Sequence, residues 1–386
     1  MRRRYVWLWS AFIFFFLLVP CRSLVVSTEA AADPAAKVKS DRSPGWEEDW
    51  KKTLDAARKE GKLHIYSVAS GAVRGALSKA FVAKYGIQLE FITGRGPEFT
   101  AKISAERRAN LYLADMHIGG STTSTMEYKP KGFLAPLKPL IVLPEVSEAK
   151  IWYGGGLHFS DKERQYIACP ILTASNNYLS VNTDLVKPGE IKSYKDLLNP
   201  KWKGRIIMND PTVGGAGSRW FAVVADQFMG LDYMRSLASQ EPVITREQRL
   251  QVESLARGKY AIAIGMQPDI QAEFVKYGSP IKTVVPEEGG WLGGGPGLIG
   301  YFDRAPHPNA AKIFANWFLS KEGQTLYSKT ALAESARLDV PNDHIAREDR
   351  RIPGVKYFIG DDEDFLIKKT EYEHKWAKEI FGFLVK

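Results

Sequence analysis

Residues 63–91 form one strand–helix–strand unit, and this stretch constrains the architecture more than any other. Leu63-His64-Ile65-Tyr66-Ser67-Val68 reads as a short apolar strand. Ser70 stands where an N-cap accepts a first-turn N–H. Val73, Leu77, Ala80 and Phe81 then recur at helical spacing, and Gly86 stops the helix. Ile87, Leu89 and Phe91 alternate as a second strand. A crossover through a helix makes the two strands parallel, so the chain is expected to be α/β with ligand loops at the carboxyl ends of its strands. A helix over 97–108 and a strand over 113–118 repeat the theme. Further on, strands are expected at 205–208, 260–264 and 282–285, with helices at 218–228, 231–239, 245–257 and 309–320. At 386 residues the chain is long enough for two lobes, taking ~100–200 residues per domain. No tandem repeat is visible.

The amino-terminal segment reads as an address. Arg2-Arg3-Arg4 precede an apolar run from Val6 to Val19, broken only by Ser10. As a helix this run spans about 21 Å, short of the ~30 Å hydrocarbon core. That is the layout of a secretory signal peptide, expected over 1–32, with Ala30-Ala31-Ala32 or Cys21-Arg22-Ser23 as the cleavage region. A lipoprotein signal anchored through Cys21 is the alternative. Residues 33–45 are small, polar and Pro-bearing, a linker. The mature chain is thus expected in the periplasm.

The formal charge is +9. Within 1–32, four arginines stand against one glutamate, so part of that excess belongs to the leader. What remains is spread along the chain rather than gathered in a stripe, which argues against a nucleic-acid partner. Two cysteines, Cys21 and Cys169, exclude a disulfide-built scaffold. The last forty residues are highly charged. Their acidic run at 361–364 reads as a solvated face.

Three stretches resemble the bacterial extracellular solute-binding proteins of family 1, the periplasmic subunits of ABC importers. The first is APHPNAAKIFANWFLSKEGQ, from Ala305 to Gln324. The second is NNYLSVNTDLV, from Asn176, followed by SYKDLLNPKWKGRIIMNDP, from Ser193. The third is VVPEEGG, from Val284. The resemblance covers roughly residues 48–340 and lies on the ferric-binding-protein-like branch. It implies a type II periplasmic-binding-protein fold, two α/β lobes joined by crossing strands with a ligand cleft between. The lobes are then expected at 46–172, 173–290 and, returning to the first lobe, 291–344, with a charged extension over 345–386. It also implies a mechanism without chemistry: hinge closure on a small-molecule ligand, then docking on an inner-membrane ABC permease. A monomer without a cofactor is expected.

Ligand groups should come from strand-end loops and helix N-termini. Ser67 and Ser70 follow the first strand. Arg95, between Gly94 and Gly96, could fork a carboxylate or phosphate. Gly120, Ser121 and Thr122 follow the strand ending at Ile118. Asp210 to Ser218 joins a strand to a helix, and Thr212, Gly214, Gly215 and Ser218 there suggest an anion nest. Thr173, Ser175 and Asn176 on the crossing segment, with Gln267 and Asp269 after the strand 260–264, complete the set. Trp291 beside the glycine-rich crossing is expected to pack rather than to cover a ligand. The expected solute is small, polar and anionic.

The iron-carrying members of this branch resemble one another in an adjacent Tyr-Tyr pair. This chain has none, and Met266 and Gln267 stand in the matching region. The six histidines show no paired metal spacing, and His307 fits a structural role at its helix start. Two rival functions remain open from sequence. One is a ligand-sensing subunit for a membrane receptor. The other is an enzyme on the same scaffold using Cys169, whose plainer reading is a buried, inert thiol.

Overall fold

The computed structural model describes residues 46–175, 179–266, 268–345 and 347–385. The leader, the linker and Cys21 lie outside the described residues, as do Asn176 and Gln267. None of the described helices is long and apolar enough to cross a membrane.

The first sheet holds β1 (Lys62–Ser67), β2 (Gln88–Thr93), β3 (Met116–Gly119), β4 (Leu134–Ala135), β5 (Ile167–Ala168) and β13 (Leu298–Phe302). Its order is β2-β1-β3-β13-β4, with β5 also on β13. The strands β1, β2 and β3 are parallel, in the register Ser67 to Thr93 and Ser67 to Ile118. The helix Gly71–Tyr85 forms where the apolar spacing puts it. Ser70 Oγ accepts from Val73 N–H at its start, and Gly86 takes φ 75° at its end. Its buried face meets the helix Pro308–Leu319, with Phe81 5.4 Å from Phe314 and 5.1 Å from Trp317, ring centre to ring centre.

The second sheet holds β7 (Leu179–Asn182), β8 (Ile206–Asn209), β9 (Val243–Thr245), β10 (Ile262–Ile264) and β11 (Ile281–Thr283), in the order β11-β7-β10-β8-β9. Trp202, Trp220, Phe221 and Leu237 fill the core beside it. Trp291 is buried in that core, as a packing side chain would be.

A third, three-stranded sheet joins β6 (Thr173–Ser175), β12 (Gly290–Gly293) and β14 (Tyr357–Ile359), with β12 in the middle. β6 and β12 lie on the two expected crossings. β14 comes from the charged C-terminal extension and makes a third.

The extension departs from the solvated face that its charge suggested. Asp361 is 2% exposed. Phe365, Ala377, Ile380 and Phe381 are buried in the second core, and Phe221 lies 5.9 Å from Phe381. Apolar residues at helical spacing within the charged run bury one face of this segment, and its acidic start is held by Ser160 O, Lys129 and Lys162.

One buried base makes stability depend on pH. His117 on β3 is fully enclosed. Its Nδ1 donates to Tyr66 O at 3.1 Å, and its ring meets Tyr128 edge-on at 5.0 Å. Burial pushes its pKa down to about 4, against the opposing pull of that hydrogen bond. In the unfolded chain the ring takes a proton below ~6.5. The stability of keeping it neutral is therefore complete above that pH and is lost as pH falls toward the folded value, at up to ~1.4 kcal/mol per pH unit. Urea unfolding at pH 7 and pH 4.5 is expected to show a smaller stability drop in His117→Gln than in the parent. Equal drops would overturn this.

Candidate ligand site

β3 delivers Gly119 at its carboxyl end, and the chain turns there into Gly120-Ser121-Thr122-Thr123. Ser124 N–H and Oγ both bond Gly120 O, at 3.3 and 3.0 Å, which fixes the turn. Opposite, the helix Ala216–Val223 begins against the end of β8. Gly217 is required there, because a Cβ would overlap the backbone oxygens of Asn209 and Asp210. This helix carries Arg219. Between these elements lies a cavity of about 370 Å³, lined by Gly120, Ser121, Thr122, Thr123, Thr173, Ser175, Arg219, Gly293, Gly295 and Asp361.

Among the described residues, two charged side chains line this cavity, Arg219 and Asp361. Arg219 is held by Nη1 donating to Gly360 O at 3.3 Å, and its Nη2 lies 3.7 Å from Asp361 Oδ1. Gly360 leaves room for the guanidinium, since a Cβ there would come within 3.0 Å of Nη1. The second distance makes an ion pair but is too long for a hydrogen bond. The side chain keeps 24% exposure, so the fork is open to a solute. Asp361 is engaged instead. Oδ1 accepts from Ser121 Oγ at 2.6 Å and Oδ2 from Gly294 N–H.

Of the residues singled out in the sequence, Gly120, Ser121, Thr122, Thr173 and Ser175 come together here. Ser67, Ser70, Arg95, Thr212, Gly214, Gly215 and Ser218 are not among its lining residues. Ser67 Oγ accepts from Ala69 N–H at 3.0 Å and is wholly buried. Ser70 caps its helix. Arg95 is exposed, and its backbone N–H donates to Glu98 Oε2. In the glycine-rich turn, Thr212 bonds Asp210 through both N–H and Oγ1, at 2.8 and 2.6 Å. Gly214 and Gly215 are exposed. Gly215 N–H goes to Ser218 Oγ, and Gly217 N–H to Asn209 Oδ1, both at 3.0 Å. Ser218 Oγ also lies 2.8 Å from Glu373 Oε1, so a carboxylate of the chain itself stands at this helix start.

Sequence reading missed Arg219 and Asp361. Arg219 is the residue after Ser218, so the signal was present in the same turn. Asp361 follows the aromatic and β-branched run Tyr357-Phe358-Ile359, a strand pattern inside the charged tail.

A larger groove of about 580 Å³ lies along residues 334–357. Its charges are already engaged: Arg337 with Asp339, and Arg351 with Glu334 and the carbonyl of Ser335. Among the described residues, His64, Asp115 and His307 stand close enough to share an ion. His64 lies in the first half of β1, Asp115 just before β3 and His307 at the start of the Pro308–Leu319 helix, and none of them lines the cavity. Asp115 accepts from His64 N–H, His307 N–H and His307 Nδ1 at 2.7, 2.7 and 2.8 Å. His64 Nδ1 faces Leu113 O, and Nε2 faces Glu90. The group thus pins β1, β3 and the Pro308 helix to one another. Cys169 is fully buried, with Sγ 3.2 Å from Ile171 O, and burial pushes its thiol pKa well up.

Two α/β lobes, three crossing strands and a polar cavity at strand ends define the two-lobe periplasmic-binding class. Solved structures share this fold. The periplasmic binding protein AfuA from Actinobacillus pleuropneumoniae, with exogenous fructose-6-phosphate bound, is 23% identical, with TM-score 0.55 over 83% of this chain and 99% of that one. Ferric iron-binding protein A of Mannheimia haemolytica, in an open conformation, is 14% identical, with TM-score 0.63 over 83% and 98%. An uncharacterized protein of Haemophilus influenzae is 30% identical over 281 residues, 70% of this chain and 76% of its own. The family described as bacterial extracellular solute-binding protein matches residues 76–350. The chain belongs to that family.

Proposed function

We propose that this protein is the periplasmic subunit of an ABC importer, capturing a small, polar, anionic organic solute between its lobes and passing it to an inner-membrane permease. The observation that carries this reading is the open Arg219 fork, set among the hydroxyls of Thr122, Thr123, Thr173 and Ser175. A guanidinium binds carboxylate or phosphate with two parallel hydrogen bonds, and the hydroxyls suit a polyol body. The solute bridges the turn after β3 and the helix Ala216–Val223, so it favours the closed state by contacts the open state lacks. The phosphorylated sugar held by AfuA is a solute of this kind. A ferric ion fits less well, because hard cations want anionic oxygens and the cavity's carboxylate is already bonded by Ser121 and Gly294.

A thermal-shift screen tests the reading, since a solute at a hundred times its Kd stabilises by ~2.7 kcal/mol. Carboxylates, phosphates or phosphonates are expected to raise the melting temperature. Shifts by neutral sugars, polyamines or ferric ion alone, with none by carboxylates, phosphates or phosphonates, would overturn it.

A further inference from the structure

We propose that Asp361 is a built-in anion, filling the half of the ligand site next to β3 and limiting the solute to one anionic group. The inference rests on the anion-binding reading of Arg219.

Asp361 arrives from the C-terminal extension rather than from a strand-end loop of either sheet. Its two oxygens take the hydroxyl of Ser121 and the N–H of Gly294. Those are donors of the type that would hold a solute oxyanion. Only glycine fits at 294, because a Cβ there would come within 2.6 Å of Cys169 Sγ. Ser160 Oγ donates to the Asp361 carbonyl, so the backbone is anchored as well as the side chain. The carboxylate is therefore part of the cavity wall.

The consequence is a division of labour. Arg219 remains available to one anionic group of the solute. A second anionic group directed at Ser121 would meet Asp361 instead of a donor, and like charges at such range repel strongly in a partly dry site. Neutral hydroxyls meet no such penalty, and Asp361 can accept from them. The wall thus selects by rejection as well as by attraction.

Calorimetric titrations of the full chain with succinate, which carries two carboxylates, and acetate, which carries one, test this. Asp361→Asn keeps the shape, with its oxygen accepting from Gly294 and its amide donating to Ser121 Oγ. It is expected to bind succinate about tenfold more tightly than the parent, with a smaller gain for acetate, as removing a repulsion on the second carboxylate should do. Asp361→Ser is expected to show the same order should the Asn variant fail to fold. Folded Asp361 variants that bind succinate no more tightly than the parent overturn the inference. In that case loss of acetate binding in Arg219→Ala alone leaves the anion reading standing, and acetate binding unchanged by Arg219→Ala overturns that reading too.

Discussion

Arg219→Ala is expected to weaken binding of the anionic solute by ten- to a hundredfold, roughly what ~1.5–3 kcal/mol from a charged hydrogen-bond partner implies. Among the described residues, the guanidinium is the cation that lines the cavity, and it pairs with Asp361 only at 3.7 Å, beyond hydrogen-bond reach. Removing it leaves the solute's charge facing a carboxylate. Arg219→Lys should fall between, because an ammonium keeps the charge and loses the planar fork. Calorimetry on whichever solute gives the largest thermal shift reads the series directly. Affinity unchanged in Arg219→Ala would place the recognition elsewhere.

Asp115→Ala is expected to cost ~3–5 kcal/mol of stability. Its carboxylate is wholly buried and accepts from His64 N–H, His307 N–H and His307 Nδ1. Each buried donor left without a partner costs ~1–3 kcal/mol. The three donors belong to β1 and to the start of the Pro308 helix, and Asp115 itself leads into β3, so one residue joins three elements. Asp115→Asn should lose less, since its oxygen still accepts while its amide opposes one donor. Denaturant unfolding with the ligand cavity intact checks this, and a loss below ~1 kcal/mol in Asp115→Ala would show the network is slack.

The α/β class was legible in the sequence because β1 and β2 are short strands flanking a helix that Ser70 caps and Gly86 ends. Where the expected strand at 113–118 differs from β3, the cause is local. Leu113 is 44% exposed, and its carbonyl is taken by His64 Nδ1, so pairing begins only at Met116. Gly120, Ser121, Thr173 and Ser175 were findable because strand ends and crossings are where such sites form. The glycine-rich turn looked equally suitable. Only the folded chain shows that Ser218, Asn209 and Glu373 occupy it from within. Helix phase, which decides that Arg219 rather than Ser218 faces the cavity, depends on where the first turn begins. Asp361 meets Ser121 across 240 positions of chain. No local pattern reports a contact of that span.

In the proposed clamp, the three-stranded crossing sheet is expected to set how the two lobes move. Had only two strands crossed, unpaired, each could pivot separately, and the lobes could swivel as well as close. Here Trp291 is registered to Ser175 on one side and to Phe358 on the other. A ribbon hydrogen-bonded across its width is stiff to sliding and rotation in its own plane and soft to flexing out of it. It behaves as a leaf spring with one easy direction. With the lobes closing as proposed, the jaw is expected to follow nearly a single path, so that each closure brings Arg219 to the same place opposite the turn after β3.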